Sequence, residues 1–238
     1  MNEVIWHDLE CGGYRQDLAL WRSLADAYQG PVLDVGAGTG RVTLDLARAG
    51  HSVLALDADE TLLSELRRRA EGLPVRTICA DARDFNLTDP VGICLVPMQT
   101  VQLLGGSEGR LAFLECARRH VRSGGLIAMA ITAELEGFEV RDGEPAPLPD
   151  LVELAGVVYC SQPTSVRRED HQFVLERRRE TVDPRGGRQV SQDRVALDCL
   201  TVDELEQEAE SLGLRTLPAH EIPPTHEHVG SQVVMLTA

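Results

Sequence analysis

Residues 32–50, VLDVGAGTGRVTLDLARAG, constrain the fold more than any other stretch of the chain. A short apolar run leads into glycines at 36, 38 and 40, and a helical pattern follows. A strand, a glycine turn and a helix start leave backbone N–H groups exposed, a place that favours anions. The dinucleotide fingerprint G-x-G-x-x-G needs its third glycine three positions after the second. Here that position is Arg41, and the third glycine arrives one residue early, at Gly40. A P-loop is excluded as well, because it ends in Lys-Ser/Thr and all 23 basic residues of this chain are arginine. The lack of lysine also removes Schiff-base chemistry and every lysine general base.

The same grammar continues downstream. PVLDV (31–35) precedes a helix near 40–49, and SVLALD (52–57) precedes a helix near 60–71. VRTICAD (75–81), VGICLVP (91–97), a helix near 108–121 and GLIAMAIT (125–132) come next. Strands apolar on both faces, alternating with helices, predict an α/β fold with a parallel sheet covered on both sides. Before it, YRQDLALWRSLADAYQG (14–30) reads as an amphipathic segment ending in Gly-Pro.

After residue 132 the pattern changes. EVRDGEPAPLPD (139–150) is a Pro- and acid-rich loop, and GVVYCSQPTSV, HQFVLERRRETV and RQVSQDRVALDCL read as three strands, with PRGG (184–187) as a turn. TVDELEQEAESLG (201–213) carries its own boundaries: Thr201 as N-cap, Glu204 completing a capping box, Gly213 just past the end. LRTLPAHEI and SQVVMLTA read as a last strand pair. The expected layout is one domain over 1–238: a helical cover (1–30), a core (31–133), a β-rich insertion serving as a lid (134–200), and a final helix and strand pair (201–238).

Composition narrows the partners. With 43% hydrophobic and 26% charged residues the chain is globular. No apolar run approaches the roughly 20 residues that span a bilayer. The start MNEVIWHDLE has neither a basic region nor an apolar core of the secretory kind, so a cytoplasmic protein without membrane contact is expected. A net charge of −15 argues against nucleic acid, whose binding rests on many basic contacts. The six cysteines form no CxxC pair and are read as reduced and structural, with no metal site.

LDVGAGTGR resembles motif I of the class I S-adenosylmethionine-dependent methyltransferases. The resemblance runs through LALDAD, ICADARDF and ICLVPMQTVQLL to VRSGGLIAMAI, about residues 31–131, and the late helix and strand pair fit the sixth and seventh strands of that fold. It implies a Rossmann-like seven-stranded sheet with an antiparallel final strand, helices on both faces, and S-adenosyl-L-methionine as cofactor.

Site residues follow from the same resemblance. Gly36, Ala37, Gly38 and Gly40 would carry the backbone past the amino-acid end of the cofactor, where a Cβ would intrude. Asp34 would accept from its ammonium, or else stabilise the turn. Asp57, 17 residues after Gly40, would accept from the ribose hydroxyls, or cap the next helix. Ala58 would lie along the adenine. Asp81 would accept from the adenine amino group with the Ala82 N–H at the ring, or cap its own loop. Pro97, Gln99 and Gln102, in the loop that borders the methyl, are cofactor candidates; the glutamines also suit a polar helix start. Tyr14 is expected at the methionine carboxylate or the pocket wall and is a catalytic candidate, with Trp6 and His7 as further wall or as a packed surface helix. The turn EIPPTHEHVGSQ precedes the antiparallel strand and so lies at the ligand edge, which makes His226 and His228 candidate bases. A solvated loop is their alternative; no third metal ligand accompanies them.

The implied reaction is an in-line displacement, in which alignment alone supplies roughly 7–11 kcal/mol. The expected acceptor is a small molecule methylated at N, O or C. Pro97-Met98-Gln99-Thr100 stands where base N-methyltransferases carry Asn/Asp-Pro-Pro-Tyr, which argues against nucleic-acid bases. A protein or RNA methyltransferase and a non-catalytic cofactor-binding module are the alternatives. RRED (167–170) and ERRRE (176–180) suit solvated cross-strand pairs, recognition of an acidic substrate group, or a homodimer contact through the insertion.

Overall fold

A computed structural model of the chain describes residues 2–141, 146–225 and 228–237. In chain order the elements are α1 (Asn2–Cys11), α2 (Leu18–Ala27), β1 (Val32–Val35), α3 (Arg41–Arg48), β2 (Val53–Asp57), α4 (Glu60–Arg69), β3 (Val75–Cys79) and β4 (Val91–Val96). A 3-10 turn (Thr100–Leu103), α5 (Gly106–His120), β5 (Val121–Ile131), β6 (Phe138–Glu139), β7 (Asp150–Leu154), β8 (Val157–Glu169) and β9 (Gln172–Val182) follow. The chain ends with β10 (Arg188–Asp198), α6 (Val202–Ser211), β11 (Arg215–Ile222) and β12 (Ser231–Thr237). These elements form two compact units, Tyr14–Ala133 with Leu200–Ala238, and Met1–Gly13 with Glu134–Cys199.

The larger unit is the expected α/β sheet. Its seven strands lie in the order β11-β12-β5-β4-β1-β2-β3. The five on the β3 side run parallel, and β12 is antiparallel to both β5 and β11. Side-chain alternation sorts the strands' residues onto two faces. Leu33, Val35, Cys94, Val96, Ile127 and Met129 pack with Phe113, Leu114 and Leu205 of α5 and α6. Val32, Ile93, Leu95, Leu126 and Ala128 pack with Trp21, Leu24, Val42 and Leu46 of α2 and α3. Both faces are therefore covered, and the central strands β1 and β4 are buried along their whole length. Asp34 alternates with Leu33 and so faces the α2–α3 layer. The capping box of α6 forms as the sequence predicts, with Thr201 and Glu204 exchanging side-chain and backbone bonds, and Gly213 takes a left-handed φ of 78°.

The smaller unit corrects two readings. The helical cover expected over 1–30 is divided: α1 belongs with the insertion strands, while α2 belongs with the core. The cause is local. Glu10 accepts from Arg179 Nε and Nη2 at 2.8 and 2.7 Å and from the Ser161 hydroxyl at 2.7 Å. Trp6 lies under the Arg179 guanidinium, 5.5 Å from its centre, and edge-on to Tyr159 at 5.4 Å. Trp6 is thus a packed aromatic of this unit. The insertion also holds five strands where three are expected. β8 pairs with β9 on one side and with both β6 and β7 on the other, and β10 completes the sheet beyond β9. β7 is short and leaves Leu151 and Leu154 exposed, so its pattern never resembles a half-buried strand. The Ala155-Gly156 turn, both residues at positive φ, closes the β7–β8 hairpin.

The arginines of this sheet are largely held in pairs: Arg167 with Glu176 at 3.0 Å, Arg194 with Glu169 at 3.0 Å, Arg188 with Glu180 at 2.6 Å, Arg179 with Asp193 at 2.9 Å. This is the cross-strand arrangement that alternating Arg and Glu suggests. Cys94 and Cys116 are buried, whereas Cys79 is exposed at the end of β3, so the apolar-run reading of the cysteines holds for some positions only.

Gly40 sets the approach of α3. Its φ is 99°, and a Cβ there would stand 2.3 Å from Leu66 Cδ1 of α4. Gly72 shares a left-handed φ, 78°, but faces open space. Gly40→Ala is expected to cost about 2–4 kcal/mol, combining backbone strain with overpacking, and Gly72→Ala about 1 kcal/mol. Urea unfolding midpoints of the two variants test the difference.

Candidate functional site

The carboxyl edge of the parallel strands gathers most of the candidate residues. The Gly36–Gly40 loop follows β1, Asp57 ends β2, Asp81 follows β3, Pro97–Gln102 follow β4, and His228 precedes β12. Open α/β sheets bind their ligands at this edge. The loop is closely held by its neighbours. Gly36 and Ala37 donate to the Leu56 carbonyl at 2.9 and 3.0 Å. A Cβ on Gly36 would stand 2.6 Å from the Thr100 side chain. The close approach at Gly36 is thus made by the loop after β4.

Asp34 is 1% exposed. Thr43 of α3 donates its hydroxyl to Oδ2 at 2.5 Å, and Oδ1 has no hydrogen-bond partner. Burial pushes the carboxyl up to about 6, against the lowering influence of Thr43 and of the Arg41 charge. A buried carboxylate oxygen without a donor is costly, and its persistence calls for a cause such as strain, a functional partner or an ordered water.

Tyr14 carries the second such atom. Among the described residues, the Tyr14 hydroxyl and Asp34 Oδ1 are the buried side-chain polar atoms that lack a partner. Burial raises the Tyr14 hydroxyl above its usual range; Asp17 adds to the rise, and Arg41 and nearby Ser231 temper it without a well-aligned bond to Ser231 forming. The Tyr14 ring is fixed on two sides. The Arg41 guanidinium stands 5.2 Å from its centre, and the His228 ring meets it edge-on at 5.0 Å. Arg41 in turn donates to Asp17 at 2.5 and 2.7 Å and to the Tyr14 carbonyl at 3.0 Å, while Trp21 Nε1 donates to Asp17 at 2.7 Å. Sequence reasoning passes over Asp17 and Arg41. The available signal is Asp17 at the head of the apolar run LALW, a position that buries a charge and demands a counterion.

The remaining candidates differ in how much of their bonding capacity is taken. Asp57 accepts from the Gly38 N–H at 2.7 Å and the Asp59 N–H at 2.9 Å, one bond to each oxygen; Asp59, not Asp57, caps α4. Ala58 is exposed beside it, and Ala82 is half-buried. Asp81 accepts from the Arg83 backbone at 2.8 Å and from its guanidinium at 2.6–3.1 Å, which lowers its pKa; the loop-capping role is present. Pro97 is buried, and Met98 holds a left-handed φ of 55°, strained for that residue. Gln99 donates to the Thr132 hydroxyl at 2.9 Å. Gln102 is spent on the Thr132 backbone, donating to its carbonyl at 3.1 Å and accepting from its N–H at 2.8 Å, so its amide latches the loop after β4 to the end of β5. His226 lies outside the described residues. Among those described, no helix is long and apolar enough to cross a membrane.

Residues 32–125 match the methyltransferase-domain family. Over that stretch, which is less than half of the chain, the sequence is similar to methyltransferase domains, and the strand order agrees with that likeness. The cypemycin N-terminal methyltransferase of a Streptomyces species is 30% identical over 113 residues, covering 48% of this chain and 46% of that protein. The chain thus spans about half the length of the relatives it matches. Among solved structures, the sugar N-methyltransferase KedS8 from Streptoalloteichus superposes with a TM-score of 0.75 at 12% identity, over 100% of this chain and 92% of that one. CalS10, an amino pentose methyltransferase from Micromonospora echinaspora solved with S-adenosylmethionine, gives 0.72 at 20% identity over 98% and 97%. At such identities these likenesses establish the fold, including the separate antiparallel sheet.

The raised carboxyl of Asp34 has a signed consequence for stability. Its folded pKa, about 6, exceeds the unfolded value of 3.8, so the folded state is penalised above pH 6 and relieved as the pH falls toward 4. Asp34→Asn is expected to stabilise the ligand-free protein by about 1–3 kcal/mol at pH 7.5. Thermal melts across pH 4–8 check that the gain fades at the acid end.

Proposed function

We propose that the chain is an S-adenosylmethionine-dependent methyltransferase whose acceptor is an amino group of a small molecule. One observation carries the cofactor reading: the unpartnered Oδ1 of buried Asp34, set beside a glycine loop, fits an ammonium donor. Asp57 keeps free lone pairs on both oxygens after taking two backbone bonds, as a ribose acceptor requires. Asp81 and Ala82 stand after the next strand for the adenine edge, and the Tyr14 hydroxyl is unpaired for a carboxylate or the acceptor. Gly36, Ala37, Gly38 and Gly40 shape the loop, with Ala58, Pro97 and Gln99 as bordering residues; Gln102 acts by holding the loop after β4 in place.

When bound, the cofactor supplies a methyl group on a sulfonium. The work left to the chain is alignment and removal of one proton. An amine acceptor at neutral pH is largely protonated, and its lone pair must be freed before it attacks. His228 is the described side chain suited to take that proton, held edge-on against Tyr14. The nitrogen assignment draws on relatives described as an N-terminal, a sugar N- and an amino pentose methyltransferase. The acceptor proposed on that ground is an amine on a sugar or peptide-like metabolite.

Calorimetry with S-adenosylmethionine is the direct test. Wild type is expected to bind, and Asp57→Ala to bind at least tenfold more weakly; no binding by wild type would overturn the reading. For the acceptor, a panel of aminosugars and short peptides with labelled donor is expected to show transfer to nitrogen. His228→Ala should then lower kcat about 100-fold at pH 7 with an unchanged cofactor Kd, and recover toward pH 9, where the amine deprotonates unaided.

A further inference from the structure

Resting on the cofactor reading above, we infer that Arg41 is a positioning residue of the site: it fixes the Tyr14 ring and carries its charge on the turn of α3 from which Thr43 bonds the Asp34 carboxylate. The unpartnered buried atoms belong to these two residues, and Arg41 acts on both. It bonds the Tyr14 carbonyl at 3.0 Å and covers the Tyr14 ring at 5.2 Å. Its charge also acts on Asp34. It can do both because it is the first residue of α3, immediately after the left-handed Gly40. Its side chain is 8% exposed and would be untenable unpaired, which is the role of Asp17, itself 1% exposed.

The groups around Asp34 come from three directions. From α3 come the Arg41 charge and the Thr43 hydrogen bonds; from β2 comes the Asp57 carboxylate, which opposes ionisation. From β4 comes the Cys94 thiol, itself pushed upward chiefly by burial and further by Asp34. Arg41 is the cation among them, and Asp17 behind it partly neutralises its charge. Two opposite changes can therefore be made on one ion pair. Removing Arg41 leaves Asp34 with burial and a like charge. Removing the Asp17 charge leaves Arg41 free to act more strongly on Asp34.

The test reads Asp34 without any ligand. In each background, the difference between thermal melts with and without Asp34→Asn is constant at high pH and begins to shrink as the pH falls through the folded-state value of Asp34; that onset is the midpoint read here. The midpoint is expected near 6 in wild type. It should rise by about one unit in Arg41→Met, stay within about half a unit in Arg41→Lys, and fall in Asp17→Asn. Calorimetry with S-adenosylmethionine at pH 8 adds the second arm. Arg41→Met is expected to lose about tenfold or more in affinity. Arg41→Lys should lose less, because it keeps the charge, though not the forked bond to Asp17 that holds the guanidinium against Tyr14. A wild-type midpoint retained in Arg41→Met, or a rise in Asp17→Asn, overturns the inference. If Arg41→Met fails to fold, the Lys and Asn variants decide it by the same midpoints. If wild type binds no S-adenosylmethionine, the cofactor reading fails, and the ligand-free midpoints still judge the action of Arg41 on Asp34.

Discussion

The turn between β1 and α3 is the constraint from which the rest of the larger unit follows. Three residues at positive φ, Gly36, Gly38 and Gly40, reverse the chain within five positions. That turn aims the first turn of α3 back at β1, so Thr43 meets Asp34. It brings the Gly38 N–H to Asp57 and leaves room at Gly36 for Thr100. It also lets α3 lie against Leu66 of α4. Four separate elements are thus registered by a single short loop, and side chains larger than hydrogen at Gly36 and Gly40 would push them apart.

The two units are stabilised by different means. In the larger one, both faces of the sheet bury apolar clusters, and Phe113, Trp21 and Leu33 are fully enclosed. The smaller one buries few large side chains and relies on a lattice of guanidinium–carboxylate pairs along β8, β9 and β10. Exposed pairs of this kind contribute little singly, and their value lies in fixing register. The helix α1 is bolted down in the same manner, by Glu10 on Arg179.

What the sequence disclosed tracks how local the signal was. The glycine loop, the strand alternation and the Thr201–Glu204 capping box are decided within a few residues, and each is found where expected. β7 was hidden because its leucines stay exposed and its identity comes from pairing with β8. The partition of the N-terminal segment was hidden for a similar reason: Glu10 finds its partner 169 residues away. Gln102 looked like a ligand-facing amide, yet a glutamine serves a backbone carbonyl and N–H equally well, and only the proximity of Thr132 decides between them. Arg41 was legible as a break in one motif but not as a contributor to another, because its partners precede it across a helix.

The exclusive use of arginine has a chemical side beyond pairing. A guanidinium stays protonated at any physiological pH and is a poor nucleophile, whereas a lysine amine is a good one in its neutral form. Beside a sulfonium alkylating agent such a chain would present, in its side chains, no primary amine to compete with an amine acceptor. The seven histidine rings are then the nucleophilic nitrogens its side chains retain, so the composition narrows the misdirected transfers open to such a reagent.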